Sequence, residues 1–181
     1  MTIRVGINGF GRIGRSVFRI LADRPGIEVV AINDLTTNRH LAYLLRYDTV
    51  MGVFEGDVRT DADSLTVGGR RIAMTSEKDP SRIPWRDHGA DVVVESTGKI
   101  LTREALSKHL AAGARRVVLT VPAKDEIDAM SSAIQRGTPS ASICLSAYSG
   151  GMCTYDTGRP IAFEIASAIS SNVSASGPVR S

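Results

Sequence analysis

The sequence predicts an α/β fold in which a mostly parallel sheet carries a small inserted antiparallel meander. Three observations lead there. A strand, a glycine turn and a helix follow one another from Ile3 to Leu21, and a second strand with a carboxylate at its tip comes next. Two later runs, Asp91–Glu95 and Arg116–Val121, are apolar on consecutive positions, as strands covered on both faces are.

In the first unit Ile3, Val5 and Ile7 alternate along a strand, while Ile13, Val17, Ile20 and Leu21 fall at helical spacing. Between them lies Asn8-Gly9-Phe10-Gly11-Arg12-Ile13-Gly14. Each of its glycines has a task in a dinucleotide site. Gly9 permits the tight turn, Gly11 lets the backbone approach a pyrophosphate, and Gly14 lets the helix pack close against its strand. The helix that starts near Arg12 aims its free N–H groups and positive dipole end at the phosphates. Glycines at this spacing also occur in ordinary loops. Here the flanking strand and helix, and Asp34 at the end of Ile27–Asn33, twenty residues past Gly14, make the signal specific. A carboxylate at that strand tip accepts hydrogen bonds from the adenosine ribose, whereas a phosphate there would meet a like charge. NAD is therefore expected over NADP. The plain alternative is that Asp34 caps the helix that follows.

Asn38–Tyr47 places Leu41, Leu44 and Leu45 on one helical face, and Asp48–Phe54 reads as a loop. Short alternating runs at Asp57–Thr60, Leu65–Val67 and Arg70–Thr75, the last two joined by Gly68-Gly69, form the meander. Asp79–Trp85 is a one-turn helix or turn. The strand Asp91–Glu95 ends in Ser96-Thr97-Gly98, small residues that let a cofactor lie close at a strand's carboxyl end; a simple strand-to-loop turn is the alternative. Thr102 caps the next helix, Ala105, Leu106 and Leu110 form its buried side, and Gly113 ends it. Thr120 and Pro122 close the last strand on the same edge as Gly9 and Ser96. Five strand ends converge on one crevice, which makes residues 1–130 a Rossmann-type unit.

Composition is that of an ordinary globular chain, with 181 residues, 43% hydrophobic and 23% charged. No apolar run reaches membrane-spanning length, and the N-terminus reads as a core strand rather than a signal peptide, so a cytoplasmic location and no membrane partner are expected. Net charge is +3, and the arginines (Arg12, Arg15, Arg19, Arg24, Arg70, Arg71, Arg115, Arg116) are dispersed. They are expected to be mostly solvated, and no nucleic-acid partner is expected. Cys144 and Cys153 form neither a zinc spacing nor a disulfide framework, and no metal site is expected. His40, His88 and His109 stand beside no nucleophile in sequence and read as surface or helix residues.

These residues resemble the NAD-binding domain of phosphorylating glyceraldehyde-3-phosphate dehydrogenases. The likeness rests on Val5–Arg15, Ala31-Ile32-Asn33-Asp34, Leu44–Thr49, Val93–Gly98 and Gly113-Ala114, and it covers about the first 130 positions. The resemblance implies that Arg12 and Ile13 contact the pyrophosphate, Asp34 the adenosine ribose, Lys78 the adenine side and Thr120 the nicotinamide half. Asn8, Phe10, Ser96, Thr97 and Gly98 would line the same cleft. It further implies a glycolytic oxidoreductase, a homotetramer and a sugar-phosphate aldehyde as substrate. Lys78 stands where the family more often has arginine, and Lys99-Ile100 replaces an aromatic residue.

The family's nucleophilic cysteine lies in a Ser-Cys-Thr-Thr-Asn-Cys pattern that this sequence lacks, and neither Cys144 nor Cys153 has matching neighbours. No catalytic residue is assigned, and the chain is expected to be inactive alone. Residues 131–181 leave the family pattern, rich in Ser, Ala and Gly and devoid of Lys and His. Ile161, Ile165 and Ile169 suit a helix while Ile161, Phe163 and Ile165 suit a strand, and the segment reads as a shifted reading frame or as a small C-terminal cap. Without a substrate domain, Thr120, Val121 and Pro122 are expected to face water. A non-catalytic NAD-binding module and an erythrose-4-phosphate dehydrogenase are the alternative functions.

Overall fold

β1 (Ile3–Asn8) holds the centre of the main sheet, with β2 (Ile27–Asn33) and β8 (Val92–Glu95) as its two parallel neighbours. The computed structural model describes residues 2–125 and the strand backbones at 129–131 and 143–146. In chain order the other elements are α1 (Arg12–Ala22), α2 (Asn38–Arg46), β3 (Tyr47–Asp48), β4 (Gly52–Val53), β5 (Val58–Thr60), β6 (Ser64–Val67) and β7 (Arg70–Thr75). A 3-10 turn at Pro80–Arg82, α3 (Arg103–Ala111), β9 (Arg116–Leu119), β10 (Ala129–Ser131) and β11 (Ile143–Ser146) follow. The strand order is β10-β11-β9-β8-β1-β2-β7-β6-β5. Every pair from β10 to β7 is parallel, and β7-β6-β5 is antiparallel. The chain leaves β1 to one side through β2 and returns to its other side through β8. Such a switch of direction opens a crevice at the carboxyl ends of the strands.

Alternation along the strands sends side chains to two faces. On one face Val5, Ile7, Val92 and Val94 pack with Phe10, Val17, Phe18 and Leu21 at α1 and with Leu41 and Leu45 of α2. On the other, Val93 and Ala31 meet Ile83, Trp85 and Ala114, with Leu106 of α3 packed on Val117 and Leu119. The expected meander forms the outer edge of the main sheet, since β7 pairs with β2 on one side and β6 on the other. Its two-residue turn places Gly68 and Gly69 at φ +56° and +80°, the backbone that type I′ hairpin turns require. Thr102 caps α3 by accepting the Ala105 N–H.

Two expectations need correction. Asp48–Phe54 is not simply a loop, because β3 and β4 form a short antiparallel pair, Tyr47 opposite Val53. Side chains rather than periodicity create it. Asp48 Oδ1 accepts the Val50 and Met51 N–H groups at 2.9 and 3.0 Å. Arg19 donates to the carbonyls of Leu45, Met51 and Gly52, with its guanidinium 5.5 Å from the Phe54 ring centroid. Arg19 is consequently buried, as is Arg15, which donates to the Phe10 carbonyl and pairs with Asp48 at 3.5 Å. Both are exceptions among arginines that were expected to be mostly solvated. Thr120 is buried as well, while Val121 is half-buried and Pro122 exposed.

Of the segment after residue 130, only strand backbone is described. β11 pairs with β9, Cys144 opposite Val118, and so extends the parallel sheet. The shifted-frame and cap readings and the Ile161–Ile169 pattern fall outside the described residues. Among the described residues no helix is long and apolar enough to cross a membrane.

Candidate functional site

The glycine turn stands at the carboxyl end of β1. Gly9 takes φ +89°, and a Cβ there would lie 2.7 Å from the Thr97 nitrogen. A Cβ on Gly14 would collide with the Gly9 carbonyl oxygen and stand 3.0 Å from Ser96 Oγ. Both positions exclude a side chain so that α1 can press on the turn. Ser96 Oγ locks this arrangement by donating to the Gly9 and Asn8 carbonyls at 2.6 and 3.1 Å. Gly11 differs. It is exposed, and nothing lies within 4 Å of a Cβ built on it. It caps α1 without a side-chain hydrogen bond, and the first turn contains no acidic residue. The start of α1 thus has no capping or acidic side chain and adjoins the open space at Gly11, beside exposed Arg12 and half-buried Ile13, an arrangement that suits an anion.

Asp34, at the tip of β2, is tied to the same turn. Its Oδ2 accepts the Phe10 N–H at 2.7 Å and its Oδ1 the Thr36 N–H at 2.8 Å. It does not cap α2, whose cap position is Thr37. The carboxylate keeps further acceptor capacity, since each oxygen has two lone pairs. Phe10 brings only its backbone to the turn. Its ring is buried, 5.6 Å from Phe18 in an edge-to-face pair. Lys78 is exposed in the segment after β7, whose Thr75 is opposite Asn33 in the register. Gly98 is exposed, and Thr97 lies beneath it with its N–H and hydroxyl both donating to Glu95 Oε1. The Thr120 hydroxyl donates to the Glu95 carbonyl at 3.1 Å, joining the end of β9 to that of β8.

Asn8, expected to line the cleft, joins a hydrogen-bonded chain of residues that sequence reasoning gave no part in the site: Asn33, Glu95, His109 and Trp85. Asn8 Nδ2 donates to Glu95 Oε2 at 2.5 Å, and Asn33 Nδ2 donates to Asn8 Oδ1 at 2.8 Å. Asn33 Oδ1 in turn accepts from Thr75 Oγ1 and the Glu77 N–H. On the far side His109 Nε2 stands 3.0 Å from Glu95 Oε2, and Trp85 Nε1 donates to His109 Nδ1 at 3.0 Å. His109 is on a helix, as expected, but is fully buried, like Glu95 and Trp85. One sign was available in the sequence. Asn8, Asn33 and Glu95 are each a polar residue ending an apolar strand, at one level of a parallel sheet. Among the described residues no group of His, Cys, Asp and Glu is arranged to hold a metal ion.

The open start of α1, the space above Gly11 and the acceptor Asp34 fit a dinucleotide with an unphosphorylated ribose. Comparison with known proteins agrees. Residues 3–103 match the family described as glyceraldehyde 3-phosphate dehydrogenase, NAD binding domain. A glyceraldehyde-3-phosphate dehydrogenase of Geobacillus stearothermophilus is 50% identical over 126 residues, 70% of this chain and 38% of that protein. The Salmonella typhimurium enzyme of the same name is 53% identical over 125 residues, covering 69% and 38%. The Leishmania mexicana relative, named as cytosolic, is 53% identical over 124 residues, covering 68% and 38%. This chain therefore spans well under half the length of these relatives. With the glycine turn, Asp34 and the family match in agreement, the chain belongs to the glyceraldehyde 3-phosphate dehydrogenase family through its NAD-binding domain.

Proposed function

We propose that this chain is the nucleotide-holding part of an oxidoreductase acting on a sugar-phosphate aldehyde in glycolysis, and that the 181 residues alone bind NAD without turnover. The observation that carries the reading is the unobstructed N-terminus of α1, with Asp34 tethered to it through the Phe10 N–H. In this reading the first-turn N–H groups at Arg12 and Ile13 take the pyrophosphate and Asp34 takes the adenosine ribose. Lys78 borders the adenine, while Thr120 and the Ser96–Gly98 segment border the nicotinamide half and the cleft wall. NAD supplies the hydride acceptor. Asn8 and Phe10 act from below, one through its amide and the other through its backbone.

Catalysis is not assigned to Cys144 or Cys153, because neither lies in a sequence matching the family's nucleophile. An erythrose-4-phosphate substrate belongs to the same reading, since nothing in the nucleotide half selects the aldehyde. A cytoplasmic location accords with the name of the Leishmania relative. Assembly into a homotetramer accords with the exposed apolar side chains of Tyr43, Tyr47, Val50, Met51 and Val53 around the β3-β4 pair. Residues 1–130 are taken as the NAD-binding unit, with 131–181 outside the family.

Calorimetric titration with NAD and NADP tests the reading. Wild type is expected to prefer NAD, and Asp34→Ala to weaken NAD by about tenfold while narrowing that preference, because one charge-assisted hydrogen bond contributes about 1.5–3 kcal/mol. An unchanged NAD-to-NADP ratio would remove Asp34 from the ribose. No NAD reduction is expected with glyceraldehyde 3-phosphate and phosphate, and a rate abolished by Cys144→Ser or Cys153→Ser would overturn the non-catalytic assignment.

A further inference from the structure

Four donors converge on the two carboxylate oxygens of Glu95, a residue with no exposed surface. Oε1 takes the N–H and hydroxyl of Thr97, and Oε2 takes Asn8 Nδ2 and His109 Nε2. The indole of Trp85 can only donate, so His109 Nδ1 must accept, and the ring's proton is assigned to Nε2, facing Glu95. A carboxylate that only accepts obliges Asn8 to offer its amide N–H and to turn its oxygen to Asn33. Asn33 is fixed in the same sense by the Glu77 N–H and carbonyl. Along this ladder, which crosses the carboxyl ends of β7, β2, β1 and β8, the side-chain donors Thr75, Asn33 and Asn8 follow one another toward Glu95, while the second Asn33 N–H is taken by the Glu77 carbonyl.

The two ends of the ladder reach the two sides of the nucleotide cleft. At one end Asn33 adjoins Asp34 and receives the Gly9 N–H on its carbonyl at 2.8 Å. At the other, Glu95 holds Thr97 beside Gly98, and its own carbonyl receives the Thr120 hydroxyl. We propose that Glu95 is a positioning residue for NAD: through Asn8, Asn33 and Thr97 it sets the glycine turn, Asp34 and the 96–98 segment at one spacing, with His109 and Trp85 holding the carboxylate from behind. This rests on the nucleotide reading above. Glu95 touches no cofactor atom itself; it acts by removing alternative settings of the groups that do, which lowers the ordering cost of binding.

Substitutions at Glu95 and His109, measured by NAD calorimetry on the 181-residue chain with unfolding followed in parallel, test the proposal. In Glu95→Gln an amide N–H2 replaces one acceptor and faces donors on either side, because Asn8 cannot flip against Asn33 and His109 cannot change tautomer against Trp85. NAD affinity is expected to fall by about tenfold or more in protein that still unfolds cooperatively. The second comparison decides even if that variant fails to fold. His109→Gln can donate to Glu95 and accept from Trp85, so its affinity is expected within about twofold of wild type, whereas His109→Leu, the better residue for core packing, is expected to lose about tenfold. Equal NAD affinity in the Gln and Leu variants, or an unchanged affinity in folded Glu95→Gln, overturns the positioning role while leaving the nucleotide reading intact. Failure of wild type to bind NAD overturns that reading and this inference with it.

Discussion

At Gly14 a methyl group would strike the Gly9 carbonyl, while at Gly11 it would meet nothing within 4 Å. Alanine in a helix interior gains up to about 1 kcal/mol over glycine, but overpacking at a closed contact costs about 1–3 kcal/mol. Gly14→Ala is therefore expected to lower thermal stability. Gly11→Ala, at a cap position where alanine is poorer than glycine, should cost no more than about 1 kcal/mol and yet weaken NAD, since its methyl occupies the approach to the helix start. Denaturant unfolding beside NAD titration separates the two; equal stability losses would contradict the assignment of one glycine to packing and the other to the ligand. The closed contacts of Gly9 and Gly14, and the place of Asp34 beside the turn, were legible because local spacing encodes them. Those of Glu95 and His109 were not, because 14 residues separate the pair in sequence and its partner Asn8 lies 87 residues from Glu95. A buried ladder is a property of register.

Helices and strands with a periodic apolar pattern formed where the sequence placed them, as β2 at Ile27–Asn33 and α1 from Arg12 did. The β3-β4 pair escaped because two clamps create it, one from Asp48 and one from Arg19, and neither has a period. Asp48 carries an acid-dependent part of that element. The Met51 and Val50 N–H groups, and then Arg15, hold its carboxyl below the ordinary value of 3.8. A folded-state value below the unfolded one contributes stability in full above about pH 4, and this is lost as pH falls through the folded value. Stability measured across that acid range should thus drop less in Asp48→Asn than in wild type, with the curves running parallel above it. Identical acid limbs would remove Asp48 from the clamp's energetics.

For the molecule as a whole, ligand linkage offers the broadest check. NAD at a hundred times its dissociation constant stabilises a folded binder by about 2.7 kcal/mol, enough to raise the melting temperature by several degrees. Such a rise is expected for wild type and should be reduced at the same NAD concentration in Asp34→Ala; its absence in wild type would speak against a folded nucleotide site. The parallel sheet itself was legible from its doubly buried runs, and the meander from its paired glycines, although its place at the sheet edge was not, since parallel pairing of β7 with β2 depends on contacts across 42 residues. The central position of β1 also bears on how the chain is made. During synthesis β1 acquires β2 early, but its other flank stays unpaired until β8 has emerged some 87 residues later. Closing so long a stretch of chain is slow, and the bare flank is a strand edge on which nascent copies can pair with one another. Vectorial synthesis therefore leaves the strand that carries the cofactor turn with one open edge while residues 34–91 are made, and yield in the cell should depend on how quickly that stretch is translated and folded out of its way.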